Sequence, residues 1–295
     1  MIVSGSASQA LSAALSAELD EELSAVEFER FPDGEILAAA PGFDADRAVV
    51  VVSTVSATAH VETLQLQDAV REAGAEEVVT VLPYVGYARQ DRPAKPGHTV
   101  SESPPGYPVS ARAMARAVSA GTDRVVTVNP HEEFLRDFFD APARSVDAAP
   151  LLADPLPDDL VDPLFLAPDD GAVDLARSAR DAYGTGDVEA FEKRRLSGSE
   201  VEVTAGAVDL AGRDVAIVDD IVATGSTMSE SVEHLRQAGA SRVYATCVHP
   251  LLVGGALVRL RRAGVEAVYG TDTVERSVSA VSAAPAVADA LRTGE

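Results

Sequence analysis

The sequence predicts an α/β protein of two similar domains, each a mainly parallel sheet flanked by helices in a doubly wound arrangement. Three observations predict this class. Short apolar runs recur along the chain, amphipathic segments separate them, and the second half of the sequence resembles the first. Regular alternation of strand-like and helix-like segments is typical of parallel sheets, because the crossover between parallel strands is usually a helix.

The apolar runs predict buried strands. They are short, rich in valine and continuous rather than alternating, as expected for parallel strands covered on both faces. The predicted strands are residues 48–52, 77–82, 124–128, 215–218, 242–246 and 266–269. The helices are predicted at residues 61–73, 111–120, 173–183 and 229–238. Several of these segments are followed at once by glycine, which commonly ends helices.

An internal similarity predicts two related halves. Residues 73–81 are echoed by residues 238–246, and the alignment extends backwards to lay 49–54 over 214–219. We therefore expect one domain at residues 1–142 and a second at 143–295, joined near residues 140–159, where four prolines cluster. The second half keeps a loop of Thr, Gly and Ser after its strand, whereas the first half has Thr54-Val55 and no glycine there.

Composition limits the classes of partner. The chain has 295 residues and a formal charge of −23, which disfavours nucleic-acid binding, since that requires a basic face. Its longest apolar runs fall far short of the ~18 residues that span a bilayer. The first residues lack the basic region of a secretory signal, and the single cysteine, Cys247, fits a cytoplasmic protein.

The charge pattern predicts adaptation to high salt, where screening reduces self-repulsion, although a genome biased towards Ala, Arg and Asp would produce a similar composition. Only two lysines occur, Lys95 and Lys193. Positive charge is concentrated in two places, residues 87–95 and residues 193–195. These two places are therefore candidates for binding negatively charged groups.

The strongest motif is residues 215–228. A buried strand ends in Asp219 and Asp220, and a loop of small and hydroxyl residues then leads into a helix. Such a loop offers N–H groups, hydroxyls and a helix N-terminus to a phosphate, and the carboxylates can accept hydrogen bonds from sugar hydroxyls. The alternative is a capped helix with surface acids. The motif resembles the ribose-phosphate-binding motif of the phosphoribosyltransferase-type fold.

Further motifs indicate one family within this fold. Their order and separations resemble those of the archaeal-type ribose-phosphate diphosphokinase family over roughly residues 1–275. The motifs are residues 31–35, 84–92, 130–133 with 138–139, 168–171 and 193–195. The commoner form of the family has an acid at the position of Ala223, which archaeal-type members lack. The segment from Pro93 to Ser110 is longer than the usual connection of the family.

The resemblance implies a role for each site residue. Phe31, Asp33 and Glu35 would bind the adenine of ATP from a neighbouring subunit of a homo-oligomer, and Arg89, Gln90 and Asp91 would lie along the same nucleotide. His131 and Asp169 would face Mg²⁺ and the triphosphate, and Lys193 and Arg195, on an expected loop, would be catalytic. The ribose 5-phosphate set would be Asp219, Asp220, Ala223, Thr224, Gly225, Ser226 and Thr227.

The implied activity is transfer of a diphosphoryl group from ATP to ribose 5-phosphate. Two alternatives remain open: a non-catalytic regulatory subunit of the same family, and a phosphoribosyltransferase that consumes the product. Four residues that are intact in this sequence argue against the first alternative: Lys193, Arg195, His131 and Asp219. The second would leave the first half of the chain unexplained.

Overall fold

The computed structural model describes residues 1–92, 106–197, 200–204 and 209–293, with only the backbone course given for 192–197 and 200–204. The chain divides into two compact units. The first comprises Met1–Asp147 together with Ala283–Glu295, and the second comprises Ala148–Ser282. Each unit contains its own parallel sheet, as the repeated pattern in the sequence predicts.

The first unit is built on a five-stranded parallel sheet with the order β1-β4-β5-β6-β7. Its strands are β1 (Ile2–Ser4), β4 (Arg47–Val51), β5 (Glu77–Leu82), β6 (Arg124–Val128) and β7 (Ala143–Val146). A separate antiparallel hairpin pairs β2 (Glu27–Arg30) with β3 (Ile36–Ala39). The helices of this part are α1 (Gln9–Leu19), α2 (Ala57–Glu72) and α3 (Ser110–Ser119).

The second unit is built on a six-stranded parallel sheet with the order β15-β14-β13-β12-β8-β9. Its strands are β8 (Leu164–Ala167), β9 (Asp187–Ala190), β12 (Val215–Ile221), β13 (Val243–His249), β14 (Ala267–Thr271) and β15 (Ser279–Val281). An antiparallel pair, β10 (Glu192–Ser197) and β11 (Glu200–Thr204), lies outside this sheet. The helices are α4 (Val173–Tyr183), α5 (Ser226–Gln237) and α6 (Ala256–Ala263).

The last helix, α7 (Ala284–Thr293), returns to the first unit. Arg292 donates a hydrogen bond to the carbonyl oxygen of Glu18 at the end of α1. Arg144 at β7 donates to the hydroxyl of Thr293 at 2.7 Å. These contacts fasten the C-terminal helix to elements that are far away in the sequence.

The α/β class predicted from the sequence is confirmed. All six predicted strands are present, and the valines of β4 and β5 are fully buried, as expected for a sheet with helices on both faces. The predicted helices are also present, although α2 begins at Ala57, four residues before the expected start. The side chain of Ser56 caps α2 by accepting from the N–H of Ala59 at 3.1 Å.

The boundary between the two units follows Asp147, inside the proline-rich segment 140–159 expected as the join. This segment also forms β7 and a 3₁₀ turn at Ala149–Ala153, because Pro142 precedes the strand and does not interrupt it. One local expectation is corrected. Lys193 and Arg195, expected on a loop, lie in strand β10, paired in register with Val203 and Val201. Residues 200–204, Glu-Val-Glu-Val-Thr, alternate polar and β-branched side chains, which favours a strand.

The sheet topology determines where functional loops lie. In a parallel sheet all carboxyl ends reach the same edge, and ligands bind beyond that edge. The loops after β4, β5 and β6 therefore share one edge in the first unit, and those after β8, β12 and β13 share one edge in the second. No helix among the described residues is long and apolar enough to cross a membrane.

Candidate active site

The end of β12 holds the acid pair singled out from the sequence. Oδ1 of Asp219 accepts a hydrogen bond from the N–H of Asp220 at 2.9 Å, and Oδ1 of Asp220 accepts from the N–H of Ile221 at 2.7 Å. Both side chains are half-buried. These short-range bonds hold the two carboxylates at the carboxyl edge of the sheet.

The pKa of Asp219 is raised well above its usual value. Burial is the main cause, followed by the negative charge of Asp220, and the charge of Asp169 adds to it. Cys247 lies beside Asp219 in the register of β12 and β13, and burial also raises the pKa of its thiol. A group that donates hydrogen bonds or carries positive charge would relieve the repulsion among these carboxylates.

Asp169 lies at the same edge because β8 pairs in register with β12. It follows the end of β8 by two residues, its side chain is exposed, and its Oδ1 accepts from the N–H of Gly171 at 3.0 Å. The structure therefore brings Asp169 towards the Asp219–Asp220 pair, a grouping that the motifs did not indicate. The register of two parallel strands that are distant in sequence produces it.

The loop after the acid pair is held by hydrogen bonds from residues 252–253. The carbonyl oxygens of Val222 and Ala223 accept from the N–H groups of Leu252 and Val253, each at 3.0 Å. In a planar trans peptide, the N–H points away from the carbonyl oxygen. The next N–H groups in the chain therefore face the opposite side of the loop, away from residues 252–253.

The N–H groups of Ala223, Thr224 and Gly225 have no hydrogen-bond partner among the described residues. Gly225 has a φ of +70°, a conformation that favours glycine, and it directly precedes α5. Side chains of Thr224, Ser226 and Thr227 on the same stretch are exposed. Successive free N–H groups at the N-terminus of a helix form a binding site suited to phosphate.

The loop after β5 carries Arg89, Gln90 and Asp91. Arg89 and Gln90 are exposed, and Asp91 is half-buried with its Oδ2 3.4 Å from Nε of Arg92. The N–H of Gln90 donates to the carbonyl oxygen of Tyr87 at 2.8 Å, and Tyr87 itself has a φ of +63°. This left-handed residue turns the chain, so that the following residues lie beyond the edge of the sheet.

Close packing fixes the start of that loop. The N–H of Gly86 donates to Oγ1 of Thr54 at 2.7 Å. A Cβ atom at position 86 would lie 2.0 Å from the carbonyl oxygen of Thr54, so only glycine fits. Beside Gly86, burial lowers the pKa of His60, whose ring lies 5.4 Å from that of Tyr87. The loop is thus anchored to the segment that follows β4.

His131 lies on the neighbouring loop, three residues after β6, and its side chain is exposed. Nη2 of Arg92 is 3.5 Å from Oε1 of Glu132, and the Arg92 guanidinium lies 6.0 Å from the centre of the Phe134 ring. These contacts join the loop after β5 to the loop after β6. His131 therefore shares the carboxyl edge of the first sheet with Arg89, Gln90 and Asp91.

Phe31, Asp33 and Glu35 form the tip of the β2–β3 hairpin. The N–H of Phe31 donates to the carbonyl oxygen of Glu35 at 2.8 Å, and the N–H of Glu35 donates to Oδ1 of Asp33 at 3.1 Å. All three residues are exposed, and Phe31 retains 37% of its accessible surface. An exposed aromatic ring flanked by two carboxylates is available for contact with another molecule.

The remaining predicted residues fall in different parts of the structure. Asp169 belongs to the second unit and His131 to the first, and their joint role as metal ligands stays a prediction. Among the described residues, no group of three or more His, Cys, Asp or Glu side chains could hold a metal ion. Residues 93–105 of the long segment from Pro93 to Ser110, including Lys95, lie outside the described residues.

The carboxylates at the edge of the second sheet suit Mg²⁺ in their chemistry. Carboxylate oxygens are hard ligands, and Mg²⁺ often takes one or two of them together with substrate phosphates. The raised pKa of Asp219 reflects negative charge from Asp220 and Asp169 that a divalent cation would offset. Asp169 is exposed at this edge, so its carboxylate is accessible to such a cation.

Comparison with known proteins identifies the family. Residues 1–120 match the model described as the N-terminal domain of ribose phosphate pyrophosphokinase, and residues 151–279 match the phosphoribosyl transferase domain. The chain is 58% identical over 292 residues to the ribose-phosphate pyrophosphokinase of Halobacterium salinarum, covering 99% of this chain and 100% of that protein. The Methanopyrus kandleri enzyme of the same name is 43% identical, covering 94% and 93% of the two chains.

A solved structure agrees with this result. The crystal structure of phosphoribosylpyrophosphate synthetase from Mycobacterium smegmatis superposes with a TM-score of 0.80 at 27% identity, covering 100% of this chain and 98% of that one. The similarity therefore extends over both units rather than over one domain. The chain belongs to the ribose-phosphate pyrophosphokinase family of enzymes and is similar to archaeal members of it.

Proposed function

We propose that this enzyme transfers the diphosphoryl group of ATP to the 1-hydroxyl of ribose 5-phosphate, giving 5-phosphoribosyl 1-diphosphate and AMP. The observation that carries the proposal is the end of β12. There, two carboxylates are followed by a loop with three N–H groups that have no partner among the described residues, and then by the N-terminus of α5. A sugar phosphate presents hydroxyl donors next to a phosphate, which is the combination this arrangement can bind.

Each part of ribose 5-phosphate has a proposed partner in the second unit. Asp219 and Asp220 accept hydrogen bonds from the ribose hydroxyls, because ionised carboxylates only accept. The 5-phosphate is bound by N–H groups and hydroxyls of the loop and first helical turn, which comprise Ala223, Thr224, Gly225, Ser226 and Thr227. The exposure of Thr224, Ser226 and Thr227 supports this assignment.

The nucleotide is assigned to the edge of the first sheet. Arg89, Gln90 and Asp91 lie along ATP, with the Arg89 guanidinium against one face of adenine. Phe31 stacks on the base, and Asp33 and Glu35 accept hydrogen bonds from its edge. We assign these three residues to a neighbouring subunit, so the active species is a homo-oligomer with a shared ATP site. The exposure of the hairpin tip supports this role.

The reaction needs positioning and charge neutralisation more than covalent catalysis. The 1-hydroxyl oxygen of ribose forms a bond to the β-phosphorus of ATP and loses its proton to water. The bond from that phosphorus to the oxygen shared with the α-phosphate breaks, and AMP leaves with the electron pair. Lys193 and Arg195 are the proposed catalytic residues, because their positive charges would stabilise the negative charge that develops on the phosphoryl oxygens.

Mg²⁺ is the proposed metal, with His131 and Asp169 as the residues that face it. When bound, it offsets charge on the triphosphate and helps to align it.

The domains are proposed at residues 1–142 and 143–295. We place the enzyme in the cytoplasm, acting on ATP and ribose 5-phosphate without a nucleic-acid or membrane partner, consistent with its charge of −23.

One assay tests the proposal. AMP formation from ATP is followed with and without ribose 5-phosphate, in molar KCl with Mg²⁺. We expect AMP only when ribose 5-phosphate is present. A chain that binds both substrates but forms no AMP would be a regulatory subunit. A chain that consumes 5-phosphoribosyl 1-diphosphate with a base, and forms none, would be a phosphoribosyltransferase.

A further inference from the structure

We propose that Arg259, on helix α6, is a positioning residue for the loop that binds the 5-phosphate of ribose 5-phosphate. It holds the peptide between Thr224 and Gly225 so that the Gly225 N–H faces the phosphate. The inference rests on the proposed function of this loop. It assigns a role to a residue outside all of the sequence motifs that indicated the site.

Three successive carbonyl oxygens of the loop accept hydrogen bonds from one neighbouring segment. Those of Val222 and Ala223 are bound by the backbone N–H groups of Leu252 and Val253. The third carbonyl oxygen, that of Thr224, accepts from Nη1 of Arg259. The segment from 252 to 259 therefore fixes the orientation of three consecutive peptides of the loop.

Peptide geometry connects these bonds to the ligand. Because the N–H of a trans peptide points opposite to its carbonyl oxygen, binding the Thr224 oxygen on one side directs the Gly225 N–H to the other. The same relation directs the N–H groups of Ala223 and Thr224. All three N–H groups thus face away from residues 252–259, on the side where no described residue binds them.

The orientation of the peptide between Thr224 and Gly225 depends on a side chain, that of Arg259. Gly225 has a φ of +70°, and glycine has more conformational freedom than any other residue, so this peptide is the easiest of the three to rotate. A Cβ at Gly225 would lie 3.4 Å from Cβ of Ala256 and from Cγ of Leu260, so α6 packs directly behind the loop. Arg259 supplies, from the same helix, the donor that the backbone does not provide.

Arg262 provides a matched control. It lies on the same helix, it is exposed like Arg259, and both line a cavity of about 330 Å³ with Glu233 and Val258. No hydrogen bond from Arg262 to the loop is found among the described residues. Replacing either arginine with alanine removes one positive charge from the same helix. Only Arg259→Ala removes the bond to Thr224.

The experiment compares Arg259→Ala, Arg259→Lys and Arg262→Ala with the unsubstituted enzyme in molar KCl. Calorimetric titration with ribose 5-phosphate and, separately, with ATP and Mg²⁺ measures both affinities, and a thermal melt checks folding. We expect Arg259→Ala to weaken the affinity for ribose 5-phosphate by about tenfold, which is the effect of losing one charge-assisted hydrogen bond. ATP affinity should not change. Arg259→Lys should recover part of the loss, since an ammonium can still donate one bond.

Several results would overturn the positioning role. They are an unchanged ribose 5-phosphate affinity in Arg259→Ala, an equal loss of ATP affinity, or the same loss in Arg262→Ala, which would indicate bulk charge. If Arg259→Ala fails to fold, Arg259→Gln takes its place in the same comparison. Failure of the proposed function is distinguished in the unsubstituted enzyme, which would then bind no ribose 5-phosphate or form no AMP from ATP in its presence.

Discussion

Oδ1 of Asp219 accepts a hydrogen bond from the N–H of Asp220 at 2.9 Å, so the first carboxylate of the pair is fixed against the backbone of the second. The two acids therefore remain neighbours although their charges repel. Together with burial, this repulsion raises the pKa of Asp219. Repulsion between the two carboxylates raises the free energy of the folded protein. A ligand that donates hydrogen bonds to them offsets this repulsion.

The first prediction concerns Asp219 and pH. A raised pKa in the folded state means that ionised Asp219 destabilises the fold. This cost is complete at pH values above the raised pKa, shrinks as the pH falls, and is absent below 3.8, the ordinary value, where the carboxyl is protonated in both states. Asp219→Asn should therefore melt higher than the unsubstituted enzyme at pH 8, by roughly 2–4 °C for each ~1 kcal/mol recovered.

The advantage of Asp219→Asn should diminish as the pH is lowered towards 4. Thermal melts of both proteins across this range, without ligand and at constant salt, check it. An advantage that is independent of pH, or that grows on acidification, would contradict the raised pKa.

The second prediction concerns Asp220. Asp220→Asn should weaken the affinity for ribose 5-phosphate by about tenfold or more, because a carboxylate that accepts hydrogen bonds from the ribose hydroxyls is lost. The affinity for ATP should change little. The fold should be intact or slightly more stable, since one of two like charges is removed. Calorimetric titration of both ligands measures this, with Asp158→Asn, exposed before the amino end of β8, as the charge-matched control. If the pair only capped the helix, stability would fall and neither ligand would be selectively affected.

The third prediction concerns the two cations on β10. Lys193→Ala and Arg195→Ala should each reduce kcat by about 10² or more while KM for both substrates changes little, since a charge engaged mainly in the transition state appears in kcat. Steady-state kinetics of AMP formation check this result. Arg292→Ala, which changes the charge equally on α7, is the control. Raised KM values with an unchanged kcat would assign β10 to substrate binding instead.

The fourth prediction tests the shared ATP site. Asp33→Ala and Lys193→Ala chains should each be inactive alone, because one lacks an adenine contact and the other a catalytic cation. Mixing them under conditions of subunit exchange should restore part of the activity, since some sites would combine an intact hairpin from one chain with an intact β10 from another. Activity is measured before and after exchange. No recovery, despite exchange shown by differently labelled chains, would place the hairpin in its own chain's site.

The fifth prediction concerns Asp169 and the metal. Asp169→Asn should raise the Mg²⁺ concentration needed for half-maximal activity several-fold, because a neutral amide is a weaker ligand for a hard cation than a carboxylate. A Mg²⁺ titration at fixed ATP measures this effect. Asp174→Asn, exposed in the first turn of α4, is the control. An unchanged Mg²⁺ requirement would remove Asp169 from the metal site.

The sequence by itself determined the features that depend on neighbouring residues. Continuous valine runs predicted β4, β5 and β6, because burial on both faces leaves no alternation of polar residues. The Asp219-Asp220 strand end and the loop that follows it could also be predicted locally, because strand, turn and helix start lie within fourteen successive residues. The order of the motifs along the chain then indicated the family.

Only the tertiary structure decided which distant residues meet. Asp169 reaches the Asp219–Asp220 pair because β8 pairs with β12, and Arg259 reaches Thr224 because α6 packs behind the loop. Helix α7 returns to the first unit, and β10 pairs with β11 where a loop was expected. Strand order, helix packing and register are determined by apolar side chains of distant segments that bury one another in a common core. No local pattern around Arg259 or Asp169 therefore encodes the partner that each one finds.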